Sequence, residues 1–173
     1  MLMTGRLPLA WAPPGHIQRL RGWTRHRNGL SRDHARVLHR VKSIMNRLNR
    51  PGPARMDAAG LQRYLLASVE RIETDDLAML WQHQRRLVEI EQDVSASERR
   101  IVDLMKAAEF RPLRAILESI PGVGLITAAT AIAEIGDFSR FPDSKAIARK
   151  LLVLMWTLVR KDEPYKAREP LAA

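Results

Sequence analysis

Seam positions at Leu30, His34, Val37, Val41, Ile44 and Leu48 are spaced alternately four and three residues apart. This is the heptad spacing of a helix that packs lengthwise against another. Pro13-Pro14-Gly15 precede the segment and Asn49-Arg50-Pro51-Gly52-Pro53 follow it. Proline suits a first helical turn and cannot continue a helix, so these stretches read as start and stop. A helix of roughly 35 residues reaches about 50 Å, too long for a small globule to wrap, and so it needs a partner. A second seam runs through Leu80, His83, Leu87, Ile90, Val94, Ser97, Ile101, Leu104 and Ala108. Thr74-Asp75-Asp76 supply its cap and first-turn acids, and Pro112 follows it. The first segment is rich in arginine and the second in acid, which favours antiparallel pairing. The pattern predicts an antiparallel coiled-coil hairpin, residues 15–49 against 74–108, with a short helix over 61–72 between. Two helices of a compact bundle are the alternative.

A third part begins at Pro112. Residues 113–120 have a helical pattern, Pro121-Gly122-Val123-Gly124 break it, and an alanine-rich helix follows over 125–135 until Gly136-Asp137. Asp143 or Ser144 can cap a last helix reaching about Lys161. No segment alternates in the manner of a strand, so the predicted fold class is all-α. The domains read as 1–13, 14–110 and 111–173, the last being a small helical part with a helix-hairpin-helix.

Charge sharpens this picture. Residues 1–55 hold 12 Lys/Arg against one acid, Asp33, whereas residues 56–118 hold 9 basic and 12 acidic side chains. His16, His26, His34 and His39 also lie in the first third. A stretch of this length with a single acid repels itself without counterions, which points to a polyanion. A solvated basic helix is the plainer reading. The phosphate-binding candidates are Arg19, Arg21, Arg25, Arg27, Arg32, Arg36 and Arg40. The chain has no cysteine, which excludes a disulfide framework, thiolate metal sites and a thiol nucleophile. Its longest apolar run, 151–159, is far below the roughly 20 residues of a membrane span. With no signal-peptide pattern at Met1, Leu2 and Met3, the expected location is cytoplasmic.

The sharpest local signal is Ile120-Pro121-Gly122-Val123-Gly124-Leu125-Ile126-Thr127-Ala128. Gly122 and Gly124 permit positive φ in a tight turn. Backbone N–H groups at Gly122, Val123 and Gly124 could then meet a DNA phosphate at the head of the next helix. A plain αα-hairpin turn uses glycine in the same way. Catalytic groupings are thin. Asp75 and Asp76 suit a helix start, and Glu89, Glu91 and Asp93 suit solvated helix positions. Glu134 and Asp137 close a helix, and Ser119, Ser139 and Ser144 lack an evident base. Trp11, Trp23, Trp81 and Trp156 could stack on bases, though packing is the commoner use of tryptophan.

Three stretches together resemble a known family. They are Leu7-Pro8-Leu9-Ala10-Trp11-Ala12-Pro13-Pro14 with Ile17, Leu20, Arg21 and Arg25-His26-Arg27; Ile120-Pro121-Gly122-Val123-Gly124 through Ala133-Glu134-Ile135-Gly136-Asp137 to Arg140-Phe141; and Ala148-Arg149-Lys150-Leu151-Leu152-Val153-Leu154 through Tyr165. The chain resembles the insertion-sequence transposases that join a RuvC-like DEDD domain to a serine-bearing C-terminal domain and are guided by a structured bridge RNA. The resemblance implies DNA transposition, DNA and structured RNA as partners, and a homodimer or mixed assembly through the coiled coil. It also implies magnesium in the full-length family. In that family the acidic ligands lie upstream of the Leu-Pro…Trp stretch, and the serine segment separates Arg-Phe from Ala-Arg-Lys. Here neither part has a counterpart. No residue matches the catalytic acids or serine, and no cofactor is expected in this chain. The expectation is a truncated, internally deleted transposase that binds nucleic acid without recombinase activity. A stand-alone basic coiled-coil protein and a regulator of a full-length transposase are the alternatives.

Overall fold

A computed structural model describes residues 12–137. Every regular element among the described residues is helical, as the pattern predicted: α1 Gly15–Arg47, α2 Ala58–Ser68, α3 Thr74–Leu104, α4 Arg111–Glu118 and α5 Leu125–Ile135. Short 3-10 turns occupy Val69–Arg71 and Ala108–Phe110. The expected last helix, with Ser139, Arg140, Phe141, Asp143, Ser144, Ala148, Trp156 and Tyr165, lies outside the described residues, as does the 7–11 stretch. Among the described residues no helix is long and apolar enough to cross a membrane.

The chain divides into two compact units, and Trp23–Asp103 forms one of them. Here α1 and α3 run antiparallel. As the α1 position advances from Arg27 to His34 to Arg47, its α3 partner falls from Glu98 to Glu91 to Asp76. The first step is one heptad on each helix, which is the periodicity of the two seams made physical. Val37, Val41 and Met45 of α1, Leu61 and Leu65 of α2, and Leu80, Leu87 and Ile90 of α3 share one buried cluster. Each such side chain contributes about 1.5–3 kcal/mol when fully buried. The stripe is wider than a two-helix seam. Met45 is buried and Leu38 packs against the cluster, because α2 covers a second side of the hairpin.

The α2 helix starts at Ala58, earlier than the apolar pattern suggested. Asp57 is its N-cap, and its carboxylate accepts a 2.7 Å hydrogen bond from the Gly60 N–H. The backbone bends tightly into this cap. A Cβ on Gly60 would stand 2.0 Å from the Arg55 carbonyl oxygen, so only glycine fits. On α3 Gln84 is buried where His83 is only half-buried, and Gln84 Nε2 donates to the Ala58 carbonyl at 3.4 Å. Ser97 is buried with its hydroxyl donating to the Asp93 carbonyl at 2.8 Å.

The other unit holds residues 12–22 and 104–137 among those described. Its buried residues include Ile17, Leu20, Met105, Phe110, Leu117 and most of α5. The His16 and Phe110 rings meet at a 68° interplanar angle with centroids 5.5 Å apart. Pro112 sits in the first turn of α4, where its missing N–H costs nothing. The α5 helix is rich in alanine and buried on nearly all sides, as an apolar-all-round helix must be. Gly136, at φ 72°, ends it and donates to the Ile132 carbonyl at 2.8 Å.

Candidate nucleic-acid interface

The basic side chains of α1 sort into two sets. Arg25, Arg32, Arg36 and Arg40 are exposed. They are separated by seven, four and four residues, which keeps them on one side of a helix. The buried Val37, Val41 and Met45 mark the opposite side. Arg36 Nη1 bonds Asp33 Oδ1 at 2.7 Å, an exposed pair within the same helix, and Arg32 Nε donates to the Asn28 carbonyl at 3.3 Å. Exposed pairs of this kind contribute little to stability, about 0–1 kcal/mol, so the Arg36 guanidinium can trade its partner. His39 is exposed beside them.

The second set is tied into the fold. Arg27 donates through both Nε and Nη2 to Glu98 Oε1, at 3.1 and 2.8 Å. Arg47 pairs with the buried Asp76. His34 Nε2 meets Glu91 Oε1 at 3.1 Å, and the same oxygen accepts the Ala58 N–H at 2.9 Å, linking the hairpin to the start of α2. In the other unit Arg19 is exposed, whereas Arg21 donates to the Ala133 carbonyl at 2.7 Å and the Glu134 carbonyl at 3.5 Å. A cation among the last carbonyls of α5 complements both their unfilled acceptors and the helix dipole.

The glycine turn is partly as expected. Val123 N–H donates to the Ile120 carbonyl at 3.0 Å, with Pro121 second and Gly122 third, the residue order of a type II turn. Gly122 has φ 87°. Gly124 does not share it: its φ is −87° and ψ 174°, an extended N-cap that any residue can adopt. The expectation of positive φ at both glycines is therefore corrected to Gly122 alone, because a type II turn needs one such residue. The turn also uses the Val123 N–H internally. Gly122 and Gly124 are exposed and Val123 is half-buried. The nearby Arg114 is occupied by Glu118, its Nε 3.1 Å from both carboxylate oxygens.

The acids considered for catalysis mostly have structural partners. Asp76 holds Arg47, Glu91 holds His34 and the Ala58 N–H, and Glu89 holds Arg86 at 3.1 Å. Glu134 and Asp137 also engage other groups. Among the described residues no group of three or more His, Asp or Glu could hold a metal ion. The described acids therefore do not fit a magnesium site. Burial, and after it the Arg40 cation, lower the His83 pKa from its ordinary 6.5.

No local pattern marks Asp76 as buried or Glu91 as the joint of three helices. It did place Trp81 correctly among packing residues, half-buried against the hairpin core. Trp23 by contrast is exposed.

Residues 114–164 match the family model described as Transposase IS116/IS110/IS902 family. The described part of that match is the α4–turn–α5 segment. No curated protein and no solved structure matches the chain. The match supports an insertion-sequence transposase fragment and, with it, a role in DNA transposition.

Proposed function

We propose that the chain is the nucleic-acid-binding and self-associating part of an insertion-sequence transposase of the bridge-RNA-guided DEDD/serine class, and that it is not itself a recombinase. The observation that carries this is the exposed Arg25, Arg32, Arg36 and Arg40 side of α1, a helix whose one acid is Asp33. Arginines in such a row neutralise phosphates and release counterions without reading sequence. Arg19 adds to the same charge, while Arg21 and Arg27 hold the fold. Gly122 and Gly124, with the first N–H groups of α5 and without the Val123 N–H that the turn occupies, form a second, weaker phosphate contact at the head of α5, where the N-cap has no side chain to satisfy those groups. The hairpin is the surface for a second copy or a full-length transposase.

The test is a salt titration of the full chain on a short DNA duplex and a hairpin RNA. Affinity should fall steeply with salt, and the triple variant Arg32→Ala, Arg36→Ala, Arg40→Ala should flatten the log–log slope by about 0.9 per lost phosphate contact on DNA. An affinity that barely changes with salt refutes the binding reading. Magnesium-dependent cleavage, or a protein–DNA adduct surviving denaturation, refutes the inactive one.

A further inference from the structure

One side of α4 is turned outward and is apolar. Leu117 is buried, whereas Ile116 is 63 % exposed and Ile120, just past the helix end, 47 %. Pro112, Ile116 and Ile120 are four residues apart, a spacing that keeps them on one side of a helix. The Ile120 N–H donates to the Leu117 carbonyl at 3.2 Å and carries the turn onward. Exposed Pro112 and Ala115 widen the strip. The polar side chains beside it bond within α4 and its end: Arg114 with Glu118, and the Ser119 hydroxyl with the Ile116 carbonyl at 2.7 Å. What the strip offers a partner is therefore apolar. One exposed isoleucine is ordinary. Here two stand together, and they are the exposed large hydrophobic side chains of this unit among the described residues.

The chain carries an occupant of matching chemistry. Residues 151–159, Leu-Leu-Val-Leu-Met-Trp-Thr-Leu-Val, hold no charged side chain and stand between Lys150 and Arg160. A stretch apolar on every side needs cover from more than one neighbour. It begins 13 residues after Asp137, the last described residue. Such a connection reaches up to about 43 Å, whereas α5, which separates α4 from that point, is only about 16 Å long. The run can therefore return alongside α5 to α4. The family match over residues 114–164 contains both isoleucines and the whole run, so strip and run fall within one family segment. We propose that residues 151–159 dock on the Pro112–Ile116–Ile120 side of α4. The Ile120 carbonyl accepts the Val123 N–H at 3.0 Å to close the glycine turn, so the docked run also braces Gly122.

The chain has no cysteine, so an introduced pair reports one proximity at a time. In the full-length chain Ile116→Cys is combined in turn with Leu151→Cys, Leu152→Cys, Val153→Cys and Leu154→Cys, consecutive positions that sample every side of a helix or strand. Mild oxidation should close at least one pair within the chain, seen on non-reducing gels, since a disulfide needs Cα atoms within about 7 Å. Leu66→Cys, exposed in the other unit, is paired with the same four positions and should not close. Circular dichroism checks helicity. The single variant Ile116→Cys, with the run intact, should react with a maleimide about tenfold more slowly than Leu66→Cys. That comparison stands even where a paired variant misfolds. Disulfides formed only between chains would make a second copy the occupant and overturn the proposal. So would closure of no Ile116 pair in variants that keep their helices, equal closure with Leu66→Cys, or equal maleimide rates.

Discussion

Replacing Gly60 by alanine should damage the fold far more than its chemistry suggests. Alanine is the better helix former by about 1 kcal/mol, so propensity alone favours the change. The structure opposes it. The new Cβ would lie 2.0 Å from the Arg55 carbonyl oxygen, 2.9 Å from its carbon and 3.0 Å from Asp57 Oδ1. Backbone cannot swing aside as a flexible side chain can, so the loop into α2 must move. That movement disturbs the Asp57 cap, which itself contributes about 1 kcal/mol. Overpacking typically costs about 1–3 kcal/mol, which together with the weakened cap outweighs the propensity gain. The expected net loss is about 1–3 kcal/mol, a fall in Tm of roughly 2–12 °C at about 2–4 °C per kcal/mol for a chain of this size. Gly29→Ala in the same unit is the control. A Cβ there meets nothing within 4 Å, so it should gain up to about 1 kcal/mol. Thermal unfolding followed by circular dichroism reads both. If Gly60→Ala were as stable as the parent while Gly29→Ala behaved as stated, the close approach of residues 55 and 60 would be wrong.

Two further outcomes follow from local geometry. Gly122→Ala should cost about 1–2 kcal/mol, because φ 87° is strained for any side chain, whereas Gly124→Ala, with φ −87° and open space at Cβ, should change Tm little; equal effects would contradict the type II turn. His83 has a folded pKa lowered by burial and by Arg40, so the unfolded chain binds the extra proton; stability should be full above pH 6.5 and decline as pH falls below it, and His83→Gln should flatten that decline in urea titrations at stepped pH.

The elements were legible where a local rule fixes them. Gly15 follows paired prolines and starts α1, and Gly136 ends α5 at φ 72° because the helix needs a left-handed residue there. The hairpin was legible because two seams of the same period carry opposite charge. The start of α2 was missed although its signal was present, since Asp57 before an apolar run is a cap pattern. Other features depend on contacts distant in sequence. Nothing in a run of arginines separates Arg21, which closes the end of α5 112 residues away, from Arg25, which faces outward. The burial of Asp76 likewise depends on α1 arriving with Arg47. Trp23 stands one heptad before Leu30 and so at a seam position, yet it is exposed while Thr24 beside it is buried.

The two sets of charges on α1 explain how a strongly basic helix can pair at all. Three of its side chains meet the acids of α3 in antiparallel order, Arg27 with Glu98, His34 with Glu91 and Arg47 with Asp76. Those partners fix register, and removing either member of the Arg47–Asp76 pair would strand a charge or empty a buried site. Arg32, Arg36 and Arg40 make no ion pair with α3, and Arg40 acts on it only by disfavouring a charge on His83. They repel one another, and Asp33 offsets only part of that repulsion. Removing them should therefore leave the hairpin intact or relieve it slightly. If the proposed binding holds, a loss of nucleic-acid affinity in these variants with unchanged helicity reads as lost phosphate contact and not as an unfolded chain.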